Sequence, residues 1–83
     1  MKRYEIVVTE TTGTYVVVEA NDEKEAKKMF NDWLCTSNGV EYICYRLSKN
    51  GGEWDISDPV ETNETADLLY DEIQKDIHEE NIT

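Results

Sequence analysis

The chain has 83 residues, 39% of them apolar, with two Trp, five Tyr and one Phe. That suits one domain near the size at which a single core suffices without disulfides or metal. No apolar run approaches the roughly 18 residues of a membrane span. Nineteen acids against eight bases give a net charge of −11, which argues against direct binding to nucleic acid, whose phosphates need Lys and Arg. The imbalance is local: residues 1–52 hold eight acids and seven bases, whereas residues 53–83 hold eleven acids and one base, Lys75. Such an end calls for a basic partner, or serves solubility alone.

In chain order, Tyr4–Thr9 and Tyr15–Ala20 are β-branched and aromatic runs around a turn containing Gly13, which predicts a hairpin. Asp22 offers an N-cap with Glu25 three residues on, a capping box. The helix that follows carries Ala26, Met29, Phe30, Trp33 and Leu34 on one stripe and is expected to stop near Asn38-Gly39. Val40–Leu47 reads as a third strand, joined by the turn Lys49–Gly52 to a short fourth strand around Trp54–Ile56 that Pro59 ends. Thr62 or Asn63 then caps a second helix over 64–80, whose stripe is Ala66, Leu69, Tyr70, Ile73 and Ile77. The expected class is α+β in the order ββαββα, a four-stranded, mainly antiparallel sheet with two helices on one face, forming a single acidic domain over 1–83.

Residues 2–11 (Lys-Arg-Tyr-Glu-Ile-Val-Val-Thr-Glu-Thr) and 16–26 (Val-Val-Val-Glu-Ala-Asn-Asp-Glu-Lys-Glu-Ala) resemble the opening of short DpnD/PcfM-type proteins of bacteria and their mobile elements. The shared feature is a hairpin, Val-x-Val-Glu-Ala and a capped helix. It covers residues 2–26, specifies a fold element and no site, and implies a prokaryotic, phage or mobile-element origin. The acidic C-terminal half departs from that pattern.

No catalytic set emerges. His78 sits beside the apolar stripe near the end of the last helix, without an orienting partner or a nucleophile in sequence reach. Cys35 and Cys44 have no evident base or helix N-terminus to activate a thiolate, and they are too few for a disulfide framework; packing roles in a reduced, cytoplasmic protein are expected. Glu5 falls where a signal peptide needs its apolar run. Asn63-Glu64-Thr65 and Asn81-Ile82-Thr83 match the glycosylation triplet, but nothing else supports a secretory route. Asp55, Asp58 and Glu61 recur every three residues around a proline and do not form a calcium loop. Gly51-Gly52 lacks the Lys and following helix of a phosphate loop. No cofactor or metal is expected.

The candidate site is the outer face of the second helix. On a helical wheel Glu64, Asp67, Asp71, Glu72, Asp76 and Glu79 surround one apolar residue, Leu68, with Lys75 the only base there. With Asp55, Asp58 and Glu61 just before them, these residues form an acidic docking ridge with Leu68 as its dry anchor. The competing interpretation is a solvated face with a stray leucine, part-neutralised by Lys24, Lys27 and Lys28 of the first helix. A second candidate patch is the open sheet face, where Val7, Tyr15, Val17 and Tyr42 are expected to point outward.

Two functions stay open. In the first, a phage or mobile-element protein inhibits a nucleic-acid-handling protein of its bacterial host by presenting DNA-like charge to a basic groove. Small acidic anti-CRISPR proteins are similar in size, charge and lack of catalytic residues, with no shared motif. In the second, a non-catalytic accessory module, monomer or homodimer, contacts protein through the open sheet face. Neither involves a membrane.

Overall fold

The computed structural model describes residues 1–10, 12–47 and 54–82; the predicted turn Lys49–Gly52 lies outside them. The elements are β1 (Lys2–Thr9), β2 (Gly13–Ala20), α1 (Glu23–Leu34), α2 (Ser37–Leu47), β3 (Asp55–Ile56), β4 (Val60–Thr62) and α3 (Tyr70–Ile82). Among the described residues the sheet has four strands paired antiparallel, as expected, but there are three helices and the order is ββααββα, which corrects the expected ββαββα.

The hairpin and the first helix match the sequence. β1 pairs with β2 over eight positions, from Lys2↔Ala20 to Thr9↔Gly13. Asp22 caps α1, its Oδ1 accepting from Glu25 N at 2.8 Å, and Glu25 reaches back to accept from Asn21 N at 2.9 Å. Ala26, Met29, Phe30 and Trp33 form the buried stripe.

The missed element is α2. Val40–Leu47 is rich in β-branched and aromatic residues, yet Gly39, Ile43 and Leu47 repeat every four residues and form its buried line. Asn38-Gly39 opens this helix instead of closing α1. Thr36, itself buried, is the cap: its Oγ1 accepts from Gly39 N at 3.0 Å and donates to Trp33 O at 2.6 Å. Gly39 is needed for room. A Cβ there would overlap the Trp33 carbonyl oxygen and stand 2.8 Å from its carbon. The two-residue link Cys35-Thr36 thus presses the start of α2 against the end of α1.

β1 lies inside the sheet, with β2 on one side and β3 and β4 in line on the other. Val8 pairs with Ile56 and Glu5 with Val60, so three steps of β1 match four steps of the facing chain. The extra residue makes a bulge at 57–59. There Ser57 N donates to Val7 O and Ser57 Oγ accepts from Val7 N, both at 2.9 Å, so pairing continues past Pro59, which has no N–H to give. Pro59 therefore interrupts the strand without ending it.

After β4 the chain passes from one side of β1 to the far edge of β2, where Leu68 forms a parallel bridge with Val18. Asp67 N and Leu68 N donate to Val17 O at 2.7 and 3.1 Å, Glu19 N donates to Leu68 O at 3.1 Å, and Asp67 Oδ2 accepts from Val17 N at 2.9 Å. This strap satisfies backbone groups that an edge strand otherwise leaves open. Residues 64–69 are accordingly not helical, and α3 starts at Tyr70 rather than in the mid-sixties. In an extended segment neighbouring side chains alternate: Leu68 turns inward and is 8% exposed, while Leu69 turns outward and is 48% exposed. This reverses the expected placement of both. Of the stripe predicted for this helix, Ile73 is buried and Tyr70 and Ile77 are half-buried against the core.

Replacing Gly39 with Ala tests the helix corner. Because the methyl group meets backbone, the corner must open, at a cost of about 1–3 kcal/mol. Urea denaturation should show that loss; an unchanged midpoint would mean that α1 and α2 are not this close.

Candidate functional site

The ten residues expected to form one acidic ridge divide into three groups. Leu68 is buried in the core beside Ile73 and cannot anchor a partner. Its apparent exposure followed from extending α3 too far toward the N-terminus.

Asp67 and Asp76 hold the fold together. Besides bonding Val17 N, Asp67 places Oδ1 3.4 Å from Arg46 of α2. The Arg46 guanidinium also donates to the Tyr42 hydroxyl at 2.8 Å, and this bond, more than the nearby carboxylate, raises its pKa. Asp76 is half-buried: Oδ2 accepts from Trp33 Nε1 at 2.8 Å and Oδ1 from Asn38 Nδ2 at 3.0 Å. One carboxylate therefore joins α1, α2 and α3. Sequence pattern carries one clue to it: a Trp on a buried stripe needs an acceptor for its N–H.

The other seven acids are exposed. On α3, Asp71, Glu72, Lys75, His78 and Glu79 are all exposed and fall within about 120° of arc at 100° per residue. Glu72 also caps the helix, its Oε1 accepting from Leu69 N at 3.1 Å, and Lys75 lies 4.0 Å from Glu79. Glu64 lies on the crossing segment before the strap, its N–H donating to Thr62 Oγ1 at 3.2 Å. Asp55, Asp58 and Glu61 belong to the β3–β4 side. There Lys27 of α1 meets Asp58 at 2.6 Å, and Lys2 of β1 meets Glu61 at 3.6 Å. Exposed pairs of this kind contribute little to stability.

The Lys27 hydrogen bond, then its charge, holds the Asp58 carboxyl below its ordinary value of 3.8 and raises Lys27 in return. A lowered carboxyl contributes stability above pH 3.8 and loses it as the pH falls through its folded value. The raised lysine contributes below pH 10.5 and loses it as the pH rises through its own.

The second candidate patch is also rearranged. Val7 is half-buried and Tyr15 is 46% exposed, but Val17 is 1% exposed although it points away from the helix-facing core. Tyr42 is not on the sheet; it lies in α2 with its ring edge-on to Trp33, centroids 5.4 Å apart. Val60 of β4, 64% exposed, is the apolar residue that sequence reasoning did not place there; it pairs with Glu5, which in turn pairs with Val17.

Two shallow grooves flank α3. One, of about 340 Å³, is lined by Glu25, Lys28, Met29, Asp32, Gln74 and Ile77; the other, of about 170 Å³, by Thr36, Ser37, Asn38, Asp76 and Glu79. Neither cysteine lines them: Cys35 is exposed and Cys44 half-buried in α2. Among the described residues no group of three or more His, Cys, Asp or Glu is placed to hold a metal, and no helix is long and apolar enough to cross a membrane.

Neither a family model, nor a curated protein, nor a solved structure matches the chain.

Two substitutions test these assignments. Asp76→Ala leaves Trp33 Nε1 and Asn38 without their acceptor and should cost about 1–3 kcal/mol in urea denaturation; a free surface acid would stay within about 0.5 kcal/mol. Lys27→Met should move the Asp58 carboxyl, followed by NMR titration, up toward 3.8; an unmoved titration would show that the pair does not form.

Proposed function

We propose that this chain is a non-catalytic phage or mobile-element protein that binds and inhibits a nucleic-acid-handling protein of its bacterial host. Its acidic C-terminal surface stands in for phosphates in a basic groove, in the manner of small acidic anti-CRISPR proteins. The observation that carries this proposal is a charge that cannot be neutralised from within. Residues 53–83 hold eleven acids and one base. After Asp67 and Asp76 take structural roles and Asp58, Glu61 and Glu79 find lysines, Asp55, Glu64, Asp71 and Glu72 still face solvent.

Charge spacing narrows the partner. Asp71, Glu72 and Glu79 span about 12 Å at 1.5 Å per residue, so the two gaps between them average about 6 Å. Duplex DNA carries one charge per about 1.7 Å and a single strand one per about 3.4 Å. The α3 face is therefore closer in density to one strand than to a duplex, and the groove proposed is one that grips a single strand.

The test is capture of proteins from a bacterial lysate on the immobilised chain. Raising salt from 0.1 M to 1 M shortens the Debye length from about 10 Å to about 3 Å and should release the partner. Single-stranded DNA should compete. Glu64→Lys, Asp71→Lys and Glu79→Lys together should abolish capture, leaving the capping residue Glu72 untouched. Val60→Glu on the sheet face should leave capture unchanged. Salt-insensitive capture that survives the triple change and fails with Val60→Glu would favour the accessory module instead.

A further inference from the structure

We propose that Asn38–Gly39 is a deamidation site gated by the fold, closed while α1, α2 and α3 are packed and irreversible once used. Asn-Gly is the dipeptide most prone to this chemistry, because glycine leaves the following nitrogen unhindered. The Gly39 nitrogen gives up its proton and attacks Asn38 Cγ, and Nδ2 leaves with a proton as ammonia. Water then opens the resulting five-membered imide at either carbonyl, giving aspartate or isoaspartate.

Three features of the folded chain block the first step. The attacking nitrogen has its N–H engaged by Thr36 Oγ1 at 3.0 Å. The leaving Nδ2 is held by Asp76 Oδ1, also at 3.0 Å. Both residues lie in the first turn of α2, where a helical backbone keeps the nitrogen away from Cγ, and Gly39 cannot swing because it packs on the Trp33 carbonyl. Opening the helix corner releases all three together. The product then prevents closure. A carboxylate at position 38 faces Asp76 where an amide donor stood, so a hydrogen bond becomes like-charge repulsion. Asp76 would keep the Trp33 N–H, but the tie between α2 and α3 would be lost.

The sequence supplies its own chemical reference, since Asn50-Gly51 is a second Asn-Gly pair. The full chain is incubated at pH 7.4 in buffer and in denaturing urea, and deamidation at each site is followed by peptide mass mapping. In urea both sites should react at comparable rates. In buffer Asn38 should react at least about tenfold more slowly than in urea. Equal rates at Asn38 in both conditions would overturn the gate. The second half is read from stability: Asn38→Asp should melt about 4–8 °C below the native chain, and lower than Asn38→Ala, which removes the bond without adding charge. An Asn38→Asp chain as stable as the native one would overturn the claim that the product blocks closure.

Discussion

Trp33 must be buried and must also find an acceptor for its indole N–H, and the helical layer is organised around those two demands. Its ring packs against Phe30 and Tyr42, with centroids 5.8 and 5.4 Å away. Its N–H reaches across to Asp76 of α3, and its carbonyl takes the N–H and hydroxyl of Thr36 at the mouth of α2. The same carbonyl excludes any side chain at position 39. One residue thereby sets the sharp α1–α2 corner, the need for glycine in α2 and the position of α3. A buried indole without an acceptor costs more than its hydrogen bond contributes, so the placement of Asp76 is tightly constrained.

The sheet has a matching constraint at its edge. With β1 inside, β2 would present a full row of open backbone groups, and the strap through Asp67 and Leu68 covers part of that row. Covering it requires the chain to leave β4, traverse the sheet and arrive extended. That requirement overrides the helical spacing of Ala66, Leu69 and Tyr70. The opposite edge is guarded differently, by very short strands, a bulge and Pro59.

How much was legible in the sequence follows from how local each cause is. The hairpin and α1 were readable because alternation, capping box and stripe all lie within a few neighbouring residues. α2 was not, because Asn38-Gly39 looks like a helix end, and only the nearness of the Trp33 backbone shows that glycine is there for space. The start of α3 was placed too early because the β2 edge, far away in sequence, decides it. The acidic excess could be counted directly, but the division of labour within it could not. Asp67 and Asp76 look like surface acids until Val17 and Trp33 are seen to need acceptors.

That division separates the acids that hold the fold from those available to a partner. On this account the first kind sits where a donor is waiting, and the second sits in a field of its own sign. Neutralising the first kind should therefore cost stability, whereas neutralising exposed acids of the second kind should change it little. The most direct measurement is thermal denaturation at low salt of two double variants, Asp67→Asn with Asp76→Asn, and Asp71→Asn with Glu79→Gln. The first should melt well below the native chain, and the second close to it. Equal losses in both, or a stable first variant, would contradict the account.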